Sequence, residues 1–318
     1  MSLVTNAFEA HLMNDFRLLM LSAMYENGGN VTHRFLDGHP ELFVYPFESQ
    51  LGTKLVNDYL SSMFPVKYRW PVFDLGGTAE LDYQAIIDEE VKVRARTSHV
   101  SKFRHVAFDF SDNARRESYV RYVTAGGRSR AHNIASFFRA TFDAWKDYRR
   151  SGDEAVYVGY SPIVIVDAKK ILKDFPTAHI LHVVRNPWSA YADTKKRAVP
   201  LSLAHYLLGW SVNQQHALFF QKLFPESVHV VRFEDVIADP SATLGKICGQ
   251  LSITSAPSLK TASWNGTELS EVYPWGTIRK ATADANRATA LELSAAERDE
   301  VRARAGHYLE IFDYQNFI

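Results

Sequence analysis

The sequence predicts an α/β fold, a central parallel sheet flanked by helices on both faces. Three observations predict it. Four short apolar runs, RLLMLS (17–22), AVYVGY (155–160), HILHVV (179–184) and SVHVVRF (227–233), are bounded by turn residues. Each run leads through a loop into a helical pattern, the alternation expected of a parallel sheet with both faces covered. No internal repeat or low-complexity linker interrupts the 318 residues, 46% of them apolar or aromatic, so there is ample material for one core.

Taken in order, the first run passes into MYENGGN, a glycine-bearing loop, then a helix ending near LDGHP. Helical patterns are expected over 79–96, 131–150, 162–175, 187–197, 203–224, 239–251 and 293–314. Pro162 and Pro187 suit a first helical turn, where a missing N–H costs little, and Asp239-Pro240 is a similar helix start. Ser294 followed by Glu297 forms a capping box. Between about 50 and 150 the pattern is less regular, and GGRSR (126–130) reads as a flexible basic loop. The expected organisation is one domain over 1–318 with a variable, acceptor-side region at about 50–150.

Lys plus Arg number 36 and so do Asp plus Glu, a balance that argues against a general nucleic-acid binder. The one cysteine, Cys248, excludes an intrachain disulfide and Cys-based metal clusters, and its setting reads as core filler. The N-terminal stretch lacks a basic n-region, and no apolar run approaches the roughly 20 residues of a membrane span. A cytoplasmic protein without a metal is expected.

Ligands of an open α/β sheet bind beyond the carboxyl ends of the strands. Backbone N–H groups of Asn27, Gly28, Gly29 and Asn30, with the positive end of the next helix, would favour an anion there. The alternative is a plain tight turn in which Gly28-Gly29 supply positive φ. A kinase-type GxxxxGK[ST] loop is absent. Arg185, at the end of a strand and before a Pro-started helix, is placed to grip a phosphate or to pair with a neighbouring carboxylate or carbonyl.

FLDGHPELFVYPFES supplies Leu36, Asp37, His39, Pro40 and Glu48; RNP supplies Arg185, Asn186 and Pro187 after FPTAHI; and VVRFEDVIADP occupies 230–240. In this order and spacing, with WGTIRKAT at 275–282, the chain resembles sulfotransferases of the bacterial and Golgi-like kind that use 3′-phosphoadenosine 5′-phosphosulfate (PAPS). These blocks cover about two-thirds of the chain and leave the region of about 50–150 uncovered. The resemblance implies a P-loop NTPase-like fold and in-line transfer of a sulfuryl group to a hydroxyl or amine of a small metabolite or carbohydrate, with the product nucleotide PAP released. It implies that the first loop holds the 5′-phosphosulfate, that Arg185 holds the 3′-phosphate, that Arg279 and Lys280 close over the nucleotide, and that Glu48 is the base.

The match breaks at two positions. Aligned through His39-Pro40, Gly28 falls on the family glycine, Glu26 on its catalytic Arg or Lys, Asn27 on the Ser, and Gly29 and Asn30 on two Thr. The family Ser that joins Arg on the 3′-phosphate falls on Asp193, with Thr194 beside it. A carboxylate about 4 Å from a phosphate oxygen is repelled by roughly 4 kcal/mol at an effective dielectric near 20. Three resolutions are open. Glu26 is neutralised by an arginine; or a cation arrives from Arg34, Lys195, Arg197, Arg279, Lys280, Arg128 or Arg130; or the donor is not PAPS. In the last case Glu26 serves as a base or receives a different ligand, and the alternative function is a sulfotransferase-fold protein with altered donor or lost transfer activity. His33, one turn into the helix, is a further catalytic candidate, whereas His39 reads as a helix stop. Trp188 and Trp275 are core or adenine-stacking residues. The arginines of 101–122 line a solvated face or favour an acidic or sugar acceptor.

Overall fold

The computed structural model describes residues 16–269 and 281–318. The chain forms the expected α/β architecture, a five-stranded parallel sheet of order β2-β3-β1-β4-β5. The strands are β1 (Arg17–Ser22), β2 (Leu42–Val44), β3 (Val156–Tyr160), β4 (His179–Val184) and β5 (Val228–Arg232). Four of them coincide, within one residue at each end, with the apolar runs of the sequence. β2 has three residues, too few to give a period-two signal. β1 is buried along almost its whole length, as suits a strand covered on both faces.

β1 leads into α1 (Gly29–Leu36). Contacts divide the chain into two compact units, Met1–Met20 with Pro40–Ala178, and Leu21–His39 with His179–Ile318. The first unit holds β2, β3, α2 (Ala79–Ala85), α3 (Glu89–Arg96), α4 (Asp112–Gly126), α5 (Arg130–Ala144) and α6 (Ala168–Asp174). Rings build much of its core: Tyr157 stacks on Phe16 at 4.8 Å and on Phe43 at 4.6 Å between centroids.

The helix expected over 79–96 is broken into α2 and α3 by Asp88, whose φ of 35° is left-handed. Tertiary bonds hold it there. Its N–H donates to the Gln50 carbonyl, and its carboxylate accepts from Tyr45 Oη at 2.9 Å and Arg115 Nη1 at 2.5 Å. The pattern over 162–175 likewise resolves into a 3-10 turn over Val164–Asp167 followed by α6. The GGRSR segment is a pinned corner rather than a flexible loop. Arg128 pairs with Asp82 at 2.8 Å and donates to the carbonyls of Asp74, Leu75 and Gly77, while Ser129 caps α5.

The second unit contains α1 and the helices α7 (Pro187–Thr194), α8 (Leu203–Leu223), α9 (Phe233–Ala238), α10 (Pro240–Gln250), α11 (Ala283–Leu291) and α12 (Ala295–Ile311). Their starts follow the sequence signals. Asn186 caps α7 with Pro187 at its first position, Asp239 caps α10 with Pro240, and Ser294 and Glu297 form the capping box of α12. After α1, Asp37 accepts from Ser263 Oγ at 2.6 Å and from the Gly266 N–H at 3.0 Å, which anchors the LDGHP turn to the hairpin of β6 (Ser263–Trp264) and β7 (Thr267–Glu268). His39 reaches the Thr254 carbonyl at 2.8 Å, and Cys248 is buried.

Candidate functional site

The loop between β1 and α1 is shaped by left-handed residues and one saturated amide. Glu26 has φ 59° and Gly28 φ 86°. A Cβ on Gly28 would lie 2.1 Å from the Phe233 ring, so conformation and space both require glycine there. Asn27 is 1% exposed. Its Oδ1 accepts from the Arg185 N–H at 3.0 Å and Trp210 Nε1 at 3.1 Å, and its Nδ2 donates to the Tyr25 carbonyl and Tyr206 Oη. Its backbone N–H closes a turn onto Met24. Asn27 therefore shapes the loop and offers a ligand no free amide. Gly29 and Asn30 open α1, where first-turn N–H groups have no intrahelical acceptor, and no acidic residue lies in that turn to oppose an anion.

Arg185 emerges directly after β4 and is 2% exposed. Its Nε donates to Asn286 Oδ1 at 2.8 Å, while Nη1 donates to the Glu26 carbonyl at 2.9 Å and Asp193 Oδ2 at 2.8 Å. Its plane lies over Phe233, 5.3 Å from the ring centroid. Nη2 makes no hydrogen bond to the described residues. The two sequence signatures meet here: Glu234 accepts from the Asn186 side chain at 2.8 Å, Asn286 Nδ2 at 2.9 Å and Tyr314 Oη at 2.6 Å. The RNP and RFED segments thus form one buried polar network, joined by Asn286, a residue the sequence reading missed. Its signal is tertiary, 101 positions from Arg185.

Both unexpected carboxylates have counter-charges. Glu26 Oε1 is 3.8 Å from Arg197 Nε, and the Arg197 guanidinium stacks 4.9 Å from the Tyr25 ring centre. Asp193 pairs with Arg185 at 2.8 Å and Lys196 at 3.1 Å. Thr194 is buried and bonds back to the Ala190 carbonyl. Lys195 pairs with Glu297, and Arg34 with Asp37 at 3.7 Å. Arg128 and Arg130 are engaged within the first unit by Asp82 and Asp174. Arg279, Lys280 and Trp275 lie outside the described residues. His33 is 1% exposed; burial first, and then the neighbouring Arg34, hold its imidazole well below the usual range. Its Nδ1 accepts from Arg34 Nη2 at 2.8 Å. Trp188 is core, its Nε1 donating to the Arg298 carbonyl.

Glu48, in the first unit, is 8% exposed. Its N–H donates to Glu90 Oε2 at 3.1 Å, and Lys102 pairs with the other Glu90 oxygen. Burial, with the Glu48 charge adding to it, pushes Glu90 up to about 7. Glu90 was hidden from sequence reasoning inside what read as one helix over 79–96. No group of three or more His, Cys, Asp or Glu among the described residues is arranged to hold a metal, and no helix among them is long and apolar enough to cross a membrane.

A family model described as "Sulfotransferase family" matches residues 28–257. No curated protein matches the chain in sequence. Among solved structures, the sulfotransferase domain from the curacin biosynthetic pathway is similar at 13% identity and TM-score 0.53, covering 91% of this chain and 96% of that one. The sulfotransferase domain from the Synechococcus PCC 7002 olefin synthase aligns at 16% identity and TM-score 0.46, over 76% of this chain and 75% of that one. The first of these likenesses supports the fold, and the family match, which begins at Gly28 and takes in α1, the Arg185 segment and the Glu234 segment, establishes that this chain belongs to the sulfotransferase family.

Proposed function

We propose that the protein transfers a sulfuryl group from PAPS to a hydroxyl or amine of a small metabolite or carbohydrate. The observation that carries this reading is Arg185. Two of its three guanidinium nitrogens are fixed by Asn286, Glu26 and Asp193, and the third, Nη2, is left as a pre-aimed donor for the 3′-phosphate. The N-terminal turn of α1, with Gly28 before it, receives the 5′-phosphosulfate, and Arg197 beside Glu26 supplies the cation that the loop itself lacks. In the transfer step the acceptor oxygen or nitrogen forms the new bond to sulfur. The bond from sulfur to the 5′-phosphate oxygen breaks, PAP leaves with that electron pair, and the acceptor proton passes to Glu48. Fixed donors on the leaving phosphate favour this step because they require no reorganisation as charge develops.

Calorimetry with PAP tests the reading. Micromolar binding is expected, with Arg185→Ala weakening it at least tenfold under conditions where the variant stays folded. Absence of binding at millimolar PAP would sink the proposal. A second reading is favoured by Asp193: its carboxylate beside Arg185 suits a nucleotide with a ribose 3′-hydroxyl better than one with a 3′-phosphate. Tighter binding of adenosine 5′-monophosphate than of PAP would select it and point to an altered donor.

A further inference from the structure

The first unit contains a cavity of about 660 Å³ bounded by α2, α3 and the start of α4, within the roughly 300–1,000 Å³ usual for small-molecule sites. Its walls carry three cations, Lys92, Arg96 and Arg116, and one acid, Asp112. That acid is already satisfied. It accepts from Tyr83 Oη at 2.6 Å, Arg115 Nη2 at 2.9 Å, and Arg96 Nε at 3.0 Å and Nη2 at 2.5 Å. Beneath it, Arg115 and Asp88 cancel each other in a fully buried pair. Lys92 and Arg116 are different: neither forms a salt bridge among the described residues. The Lys92 ammonium donates to the Ile86 carbonyl and lies 5.6 Å from the centre of the Tyr83 ring. Burial brings it down to about 8, the Asp88 and Asp112 charges opposing that shift and Arg115 and Arg96 adding to it. The exposed Glu80 feels the Arg116 charge, as the smallest of the influences on it.

A half-buried ammonium and a guanidinium line the same polar space with no carboxylate in direct contact, a place that a ligand's carboxylate can take. The remaining wall is polar and neutral, with Gln84, Ser111 and Asn113 beside the Tyr83 and Phe110 rings. Amide and hydroxyl groups of this kind bond hydroxyls, and aromatic faces receive the C–H face of a saturated ring. We infer that this cavity is a binding site for a small carboxylate bearing several hydroxyls, a molecule of the sugar-acid class, with Lys92 and Arg116 on its carboxylate. No residue of the anion loop lines it, and its occupancy does not depend on the transfer reaction.

Calorimetry with D-glucuronate as probe, and D-glucose and sodium sulfate as controls, tests this on the full chain. Glucuronate should bind, glucose should not, and sulfate should bind at least tenfold more weakly. Lys92→Met and Arg116→Ala should each weaken glucuronate at least tenfold while PAP binding and the melting temperature stay as in the parent. As a second measurement, the ¹³C-methyl resonance of dimethylated Lys92 should titrate near pH 8 and move to higher pH when glucuronate is added. No heat with 10 mM glucuronate, equal binding of sulfate, or undiminished binding by the Lys92→Met/Arg116→Ala double variant would overturn the assignment. Loss of PAP binding with glucuronate binding intact bears on the donor alone.

Discussion

Two buried arginines, one in each unit, look alike in sequence and differ in how completely their donors are used. Arg115 has no exposed side-chain surface. Its Nε donates to Tyr83 Oη, Nη1 to Tyr45 Oη and Asp88, and Nη2 to Asp112. Its guanidinium also lies 4.7 Å from the Phe137 ring centre and 5.0 Å from that of Phe110. Every nitrogen has a partner and both faces are covered, which describes a structural cross-link between α4, α3 and the segment after β2. Arg185 is nearly as buried, but its Nη2 makes no bond to a described residue, and it bonds the loop that leads into the first turn of α1. A buried guanidinium whose fork is closed holds the fold, and one with an open arm is positioned for a ligand.

The largest expected effect falls on the closed one. Arg115→Ala strands Asp88, which retains Tyr45 as its side-chain partner, and breaking a buried pair in this way typically costs about 3–5 kcal/mol. Urea unfolding should show that loss, with little effect on PAP affinity in whatever fraction remains folded. Arg185→Ala should cost less in stability, because Asp193 keeps Lys196 at 3.1 Å, and more in nucleotide binding. Equal stability losses and equal binding losses for the two variants would break the comparison.

That contrast also marks how far the sequence could be read. The four long strands, the helix starts at Pro187, Pro240 and Ser294, and the three signature blocks were legible because each is a local pattern of apolar runs, caps and motif spacing. α4 escaped because its buried stripe is Arg115, Tyr119 and Val123, one residue per turn and led by an arginine that any hydropathy pattern counts as solvent-facing. The break at Asp88 escaped because its partners, Tyr45 and Arg115, are 43 and 27 positions away. At the anion loop the substituted carboxylates were visible as Glu26 and Asp193, but not their pairing: Arg197 was one of seven candidate cations, and Lys196 was not among them. Which cation neutralises which acid is decided by packing.

The second effect compares two acids of the first unit, both close to cations. Asp112 stays ionised: burial alone would raise it, but the Arg115 charge and the hydrogen bonds from Tyr83, Arg96 and Arg115 outweigh that and hold it at about 2. Its contribution to stability is therefore present above pH 4 and lost as pH falls towards 2. Glu90 runs the other way. Lifted from 4.5 to about 7, it holds a proton in the folded state that the unfolded chain has released, so stability falls as pH rises from 4.5 to 7. The shift corresponds to at most about 3 kcal/mol over that interval. Unfolding measured between pH 5 and 8 should decline less steeply in Glu90→Gln than in the parent, and an unchanged slope would mean that Glu90 is ionised throughout.

The smallest effect is the sharpest test of the open arm. If Arg185 Nη2 meets a 3′-phosphate, the Asp193 carboxylate on the neighbouring Nη1 opposes that phosphate, although its charge is already shared with Arg185 and Lys196. Unshielded, the repulsion would reach roughly 4 kcal/mol; with both cations in contact, about 1 kcal/mol is the expected remainder, a several-fold effect on affinity. Asp193→Ser removes the negative charge and frees Nη1 for a second bond, so PAP should bind several-fold to about tenfold more tightly. Adenosine 5′-monophosphate, which lacks the 3′-phosphate, should be unaffected. The ratio of the two affinities isolates the 3′ position from any general loosening of α7, which would weaken both nucleotides together. A ratio that does not move would show that Arg185 and Asp193 are closed to the ligand like Arg115 and Asp88, and the distinction between the two arginines would fall with it.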